Sequence, residues 1–181
     1  VPAGGGNVVL RWSISTNNCA LVSSDTVTIR NDAKPTTSNA GPDQELCGIT
    51  STPLAANTPG VGTGAWTIVS GAGGSFVNAA SPTTTFNGVA GTAYVLRWTI
   101  SNASCAPSTD DVTIRFDVNP TVATAGTDQQ VCGNSVILAA NAAGTGSGVW
   151  SIISGAGGSF VDATDEATTF NGVPGTTYVL G

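Results

Sequence analysis

Hydrophobic and polar residues alternate most cleanly near the middle of the chain, in "AYVLRWTIS" (93–101). Tyr94, Leu96, Trp98 and Ile100 fall on one side of an extended backbone, and Ala93, Val95, Arg97 and Thr99 on the other. Successive side chains of a strand point to opposite faces, so this period of two predicts a half-buried β-strand. Shorter stretches at 43–47, 52–57, 65–69, 75–78, 83–87 and 110–116 read as further strands, separated by turns carrying Gly, Pro, Asn and Ser. Short strands in this number, with no helical periodicity among them, predict an all-β fold, an antiparallel β-sandwich. Trp66, Tyr94, Leu96, Trp98 and Ile100 are its expected core.

The pattern recurs along the chain. "AGPDQELCG" (40–48) returns as "AGTDQQVCG" (125–133), and "TTFNGVAGTAYVL" (84–96) as "TTFNGVPGTTYVL" (168–180). "LRWTISNASCAPSTDDVTIR" (96–115) has its counterpart upstream in "LRWSISTNNCALVSSDTVTIR" (10–30). The period is about 85 residues, one small domain per repeat. Alignment of the copies divides the chain into 1–34, the C-terminal strands of a preceding repeat; 35–117, a complete repeat; and 118–181, the front of a following one. The outer pieces are incomplete sandwiches. Two arrangements are open: a window cut from a longer tandem array, or neighbouring chains that complete each other by strand addition. Val173–Leu180 overlaps Val1–Leu10 in the alignment, which favours the window.

Composition narrows the function. Charged residues are only 9% and the net charge is -6, so there is no basic footprint for nucleic acid or anionic lipid. The sequence contains no apolar run long enough to span a membrane and no signal-peptide pattern. The chain contains no Met and reads as a mature product or a fragment. Four Cys without any His argue against zinc and for an oxidising, secreted setting.

The string "AWTIVSGAGGSF" (65–76), nearly repeated as "VWSIISGAGGSF" (149–160), raises the question of a phosphate-binding loop. Such a loop needs a helix start and commonly a Lys. Here a strand-like "SFVN" comes next, and the sole Lys, Lys34, is in a linker. Gly71, Gly73 and Gly74 are therefore expected to allow positive φ in a turn.

With the strands placed, "AGPDQELCG", "SPTTTFNGVAGTAYVLRWTISN" and "CAPSTDDVTI" resemble the PKD-like, immunoglobulin-like repeats of giant surface adhesins in gliding bacteria that use type IX secretion. The resemblance covers the whole chain and implies non-catalytic beads of an extracellular adhesin or stalk. It departs from the wider PKD pattern at "WTIVSGAGG" (66–74), where an acidic "W-D-F-G-D" type segment would stand.

Catalysis lacks its usual parts. No His is present as a base, no Ser occupies a nucleophile elbow, and the paired Asp110 and Asp111 point to opposite faces of a strand. Asp25/Asp110, Asp32/Asp117 and Asp43/Asp128 recur near the repeat junctions; they are Ca²⁺ candidates, with solvated turn carboxylates as the plainer reading. "NAS" (102–104) is a formal glycosylation sequon, and "DTV" (25–27) is similar to the O-glycosylation motif of such bacteria. Neither recurs in its sister repeat.

Cys19 and Cys105 follow the sixth strand of their repeats, and Cys47 and Cys132 precede the first turn. Cys47–Cys105 pairing would close a loop of about 59 residues, stabilising by roughly 4 kcal/mol on the chain-entropy model. An immunoglobulin-like topology instead sets these residues at opposite ends, roughly 26 Å apart, against the ~4.4–6.8 Å of bridged Cα atoms. The alternative is a staple across repeat junctions. The sequence thus predicts a non-enzymatic structural or adhesive repeat, a load-bearing rod with neighbouring repeats or identical chains as partners, and surface glycans or other cells as targets. A carbohydrate- or partner-binding module and a subunit polymerising by strand donation are the alternatives.

Overall fold

The structure, a computed structural model, describes residues 6–17 and 19–181. The chain divides into two compact units, Val1–Asp117 and Val118–Gly181.

The first unit opens with a hairpin of β1 (Gly6–Thr16) and β2 (Cys19–Asn31). Seven further strands follow: β3 (Gln44–Cys47), β4 (Ser51–Pro53), β5 (Thr63–Ser70), β6 (Ser75–Phe76), β7 (Thr85–Asn87), β8 (Thr92–Ser101) and β9 (Ser108–Asp117). They form two sheets, ordered β3-β9-β8-β5 and β4-β7-β6. This is an immunoglobulin-like β-sandwich. Tyr94, Leu96, Trp98 and Ile100 are all fully buried, as the alternation of β8 predicts, and pack with Trp66, Phe86, Val112, Ile114 and Phe116. Aromatic rings dominate the layer between the sheets: Trp66 tilts against Trp98 at 5.2 Å, and Phe86 meets Tyr94 edge-on at 4.9 Å. Such pairs add about 0.5–1.5 kcal/mol each beyond their area.

One pairing departs from the antiparallel expectation. The first and last strands of the sandwich, β3 and β9, run parallel, with Gln44 opposite Ile114 and Cys47 opposite Asp117. The register is set before β3 begins. Ser38 donates from Oγ to the Ser108 carbonyl (2.7 Å), the Ala40 amide to Asp110 Oδ2 (2.8 Å), and the Thr113 amide to Asp43 Oδ1 (2.8 Å). All three join residues 70 apart in sequence, the same offset as the ladder itself. A period-two pattern shows that a strand exists but not which neighbour it takes, so this contact was invisible in the sequence.

The second unit holds β10 (Ser135–Ile137), β11 (Ile152–Ser154), β12 (Ser159–Phe160), β13 (Thr169–Asn171) and β14 (Val179–Leu180). Its β10-β13-β12 sheet and β11-β14 pair match β4-β7-β6 and β5-β8 of the first unit. The core is smaller, with Leu138, Trp150 and Phe170 buried and Tyr178 and Leu180 only partly so. Residues 129–132 and 147–151, the counterparts of β3 and of most of the β8-pairing part of β5, form no strand.

Candidate functional site

The Gly-rich turns are packing sites. The Tyr94 hydroxyl accepts from the Val89 amide (2.9 Å) and donates to the Ala72 carbonyl (2.8 Å), tying the "GAGG" turn to the "GVAG" turn. Tyr178 repeats both bonds with Val173 and Ala156. Gly71 and Gly73 have φ of 98° and 77°, as expected of this turn. Gly74 does not adopt positive φ; a Cβ there would come within 2.5 Å of Phe86 Cζ. The sequence reading is corrected at this position: close ring approach, not backbone handedness, demands Gly74.

The six recurring carboxylates are not brought together. Among the described residues no three Asp, Glu, Cys or His side chains converge on a point that could hold a metal ion. Asp43 and Asp110 fix the parallel register described above. Asp25 accepts from the Thr26 amide (2.8 Å), and Asp117 from Arg115 Nε (2.7 Å). Asp128 is exposed. Asp32 accepts from Arg30 Nε (2.7 Å) and from Ser104 Oγ (3.2 Å), bonds that hold its carboxyl below the usual range. Arg97 grips Asp111 through two parallel bonds of 2.7 and 2.8 Å, likewise lowering the Asp111 carboxyl. Sequence reasoning singled out Asp110 and Asp111 as a pair, and the structure separates them by role: one positions backbone, the other pairs with an arginine.

Asp32 belongs to a clasp between the hairpin's exit and the β8–β9 loop. Asn102 Nδ2 donates to the Ala33 carbonyl (2.7 Å), and Cys105 Sγ lies 3.4 Å from that oxygen. The sequon's amide nitrogen is thus engaged in a structural bond. Cys105 stands at the end of the sandwich where the chain enters, while Cys47 closes β3 beside Asp117, where the chain leaves. The whole length of β9 lies between them, roughly 30 Å at a strand's rise per residue. The structure therefore does not bring Cys47 and Cys105 together, and the intradomain alternative fails on geometry. Cys132 is exposed; the side chain of Cys19 lies outside the described residues.

No protein-family model and no curated protein matches the chain. Among solved structures it is similar to "Protocadherin Gamma B2 extracellular cadherin domains 3-6", at 10% identity and a TM-score of 0.37, over 97% of this chain and 54% of that one. A second, "Protocadherin gammaB7 EC3-6 cis-dimer structure", shares 15% identity at a TM-score of 0.39, over 93% and 52%. The chain spans about half the length of these structures.

Proposed function

We propose that the chain is a non-enzymatic structural or adhesive repeat of an extracellular surface fibre or stalk, in which β-sandwich domains bear load in series. The observation that carries this reading is the parallel pairing of β3 with β9. The chain enters the sandwich near Val61, where the Thr36 amide bonds to its carbonyl, and leaves it at Asp117. Tension between those points pulls β3 and β9 in opposite senses along their length. Hydrogen bonds perpendicular to the pull then have to break together, whereas a hairpin pulled open at one end loses them singly. The side-chain bonds at Ser38, Ala40 and Asp43 lengthen this shear contact beyond the four residues of β3. Cys105 at the entrance and Cys47 at the exit suit a covalent staple between successive repeats, which peptide mapping without reduction would reveal.

Single-molecule pulling of the 181-residue protein tests the reading. The double variant Asp43→Ala, Asp110→Ala is expected to lower the unfolding force of the sandwich. Arg97→Ala with Asp111→Ala, which breaks only a β8–β9 contact, is expected to leave it nearly unchanged. Equal effects of the two double variants, or yielding at forces typical of an unstructured chain, would overturn the load-bearing role.

A further inference from the structure

The β8–β9 loop seats a thiol on the last residues of the preceding repeat. Asn102 Nδ2 donates to the Ala33 carbonyl at 2.7 Å and Ser104 Oγ to Asp32 Oδ2 at 3.2 Å. Cys105 Sγ lies 3.5 Å from the Asp32 carbonyl oxygen and 3.4 Å from that of Ala33. The loop turns back between these side chains at Ala103, among the described residues the one non-glycine in the left-handed region, at φ 47°. A side chain is strained there, so the contacts of Asn102, Ser104 and Cys105 hold the loop in a conformation that its own backbone disfavours.

Asp32 is the repeat counterpart of Asp117, and the two sit alike: Arg30 Nε and Arg115 Nε each hold the aspartate two residues on at 2.7 Å. In the complete sandwich Asp117 marks where the cysteine of the first strand comes to rest. Cys47 lies opposite it in the parallel ladder, and the Gly48 amide donates to the Asp117 carbonyl at 3.0 Å. One repeat upstream, the two arrangements meet on one atom. The Asp32 carbonyl oxygen that touches Cys105 Sγ is the oxygen that would accept from the glycine directly after the preceding repeat's cysteine. A carbonyl has two lone pairs and can serve both. Consecutive Cα atoms are about 3.8 Å apart, so that cysteine is one residue from the contact, within reach of a bridge of ~4.4–6.8 Å between Cα atoms. The required "CG" stands in both first strands, at 47–48 and 132–133.

We propose that this loop is a built receptor for a disulfide: the cysteine closing the first strand of one repeat bonds the Cys105-type cysteine of the next, over the shared aspartate carbonyl. The two thiols give up two protons and two electrons to a small-molecule disulfide, which is reduced to two thiols as the S–S bond forms. With a bridge at each junction, a covalent path entering a repeat at Cys105 leaves at Asp117, and one entering at Pro35 leaves at Cys47. Residues 48–104 lie off both paths, so tension on the fibre could not draw them out. The proposal deepens the structural-repeat reading and rests on it for the neighbouring repeat.

Two copies of the 181-residue sequence joined as one chain, Gly172 of the first to Val1 of the second, supply the test. The join keeps the repeat spacing, so 118–172 and the following 1–34 form one repeat ahead of the second copy's 35–117. Cys105→Ala in the first copy and Cys132→Ala in the second make the peptides unambiguous. After equilibration with reduced and oxidised glutathione, peptide mapping without reduction should find Cys132 linked to Cys105. Asn102→Ala in the second copy leaves both thiols but removes the bond to Ala33, and should lower the linkage constant about threefold to tenfold. The same substitution in the first copy should leave it unchanged. In the 181-residue protein, Asn102→Ala should speed alkylation of Cys105 about threefold or more as the thiol loses its seat; this readout does not depend on the joined chain folding. Cys132 and Cys105 recovered as thiols, a Cys47–Cys105 link, a linkage constant indifferent to which copy carries Asn102→Ala, or an unchanged alkylation rate would each overturn the proposal. Pulling on the complete sandwich does not involve this junction, so failure here is separable from failure of the load-bearing role.

Discussion

At Tyr94 one hydroxyl serves two turns that lie 17 residues apart in sequence, from Ala72 to Val89. Tyr94→Phe keeps the ring and strands an amide and a carbonyl, so urea unfolding should show a loss of about 1–3 kcal/mol with little change in slope. Gly74 and Gly73 make a second comparison at this scale. A methyl at Gly74 meets the rings of Phe86 and Tyr94 at 2.5 and 2.8 Å, whereas at Gly73 the nearest atom is Val89 Cγ2 at 3.0 Å. Gly74→Ala should therefore cost about 1–3 kcal/mol by overpacking. Gly73→Ala is expected to cost less, about 1 kcal/mol, for its left-handed backbone. An inverted order in thermal melts would contradict this account. The turn itself was legible because "SFVN", a strand pattern and not a helix, comes directly after it. The reason for Gly74 was not, because ring approach depends on how the two sheets face each other.

Legibility also varied among the elements. Strand β8 could be read from its alternation because one face is sealed and the other faces solvent. The segment expected as a strand over 52–57 is paired only over Ser51–Pro53, and beyond it the backbone bonds of Leu54 and Ala56 go to the turn before β7. Parallel β3–β9 pairing left no local signature at all. Its companions on the sheet surface are ion pairs, and these make stability depend on acid. Asp111 and Asp32 have folded pKa values below the ordinary 3.8, held down by Arg97 and by Arg30 respectively. A depressed carboxylate contributes stability that is fully present above its unfolded pKa and disappears as pH falls through the folded one. The urea midpoint should thus be flat near neutrality and decline once pH drops below about 3.8. Replacing Arg97 by Gln should make that acid limb shallower; an unchanged limb would show that Asp111 does not contribute to it.

Across the whole molecule, the two units differ in how much they bury. Among the described residues, the first has eight fully buried large side chains, all from the complete sandwich. The second buries only Leu138, Trp150 and Phe170 in its core. Hydrogen exchange should therefore be much faster at 129–132 and 147–149, which lie in no strand, than at Gln44–Cys47 and 63–65, since exchange follows local opening. The repeat boundaries could be drawn from the copies alone, but the hairpin's exposed face could not, because the sequence of a strand is the same whether or not its partner sheet is present.

The placement of the positive charges has one more effect. All four arginines lie in strands β1, β2, β8 and β9, three of them holding an aspartate and Arg11 holding Ser24. The single lysine, Lys34, is followed by Pro35. Proteases attack mobile, unpaired backbone, which here means the loops. An enzyme that cuts after basic residues consequently finds its recognition side chains locked in ladders or placed before a proline, and the loops of the folded chain offer it nothing to cut.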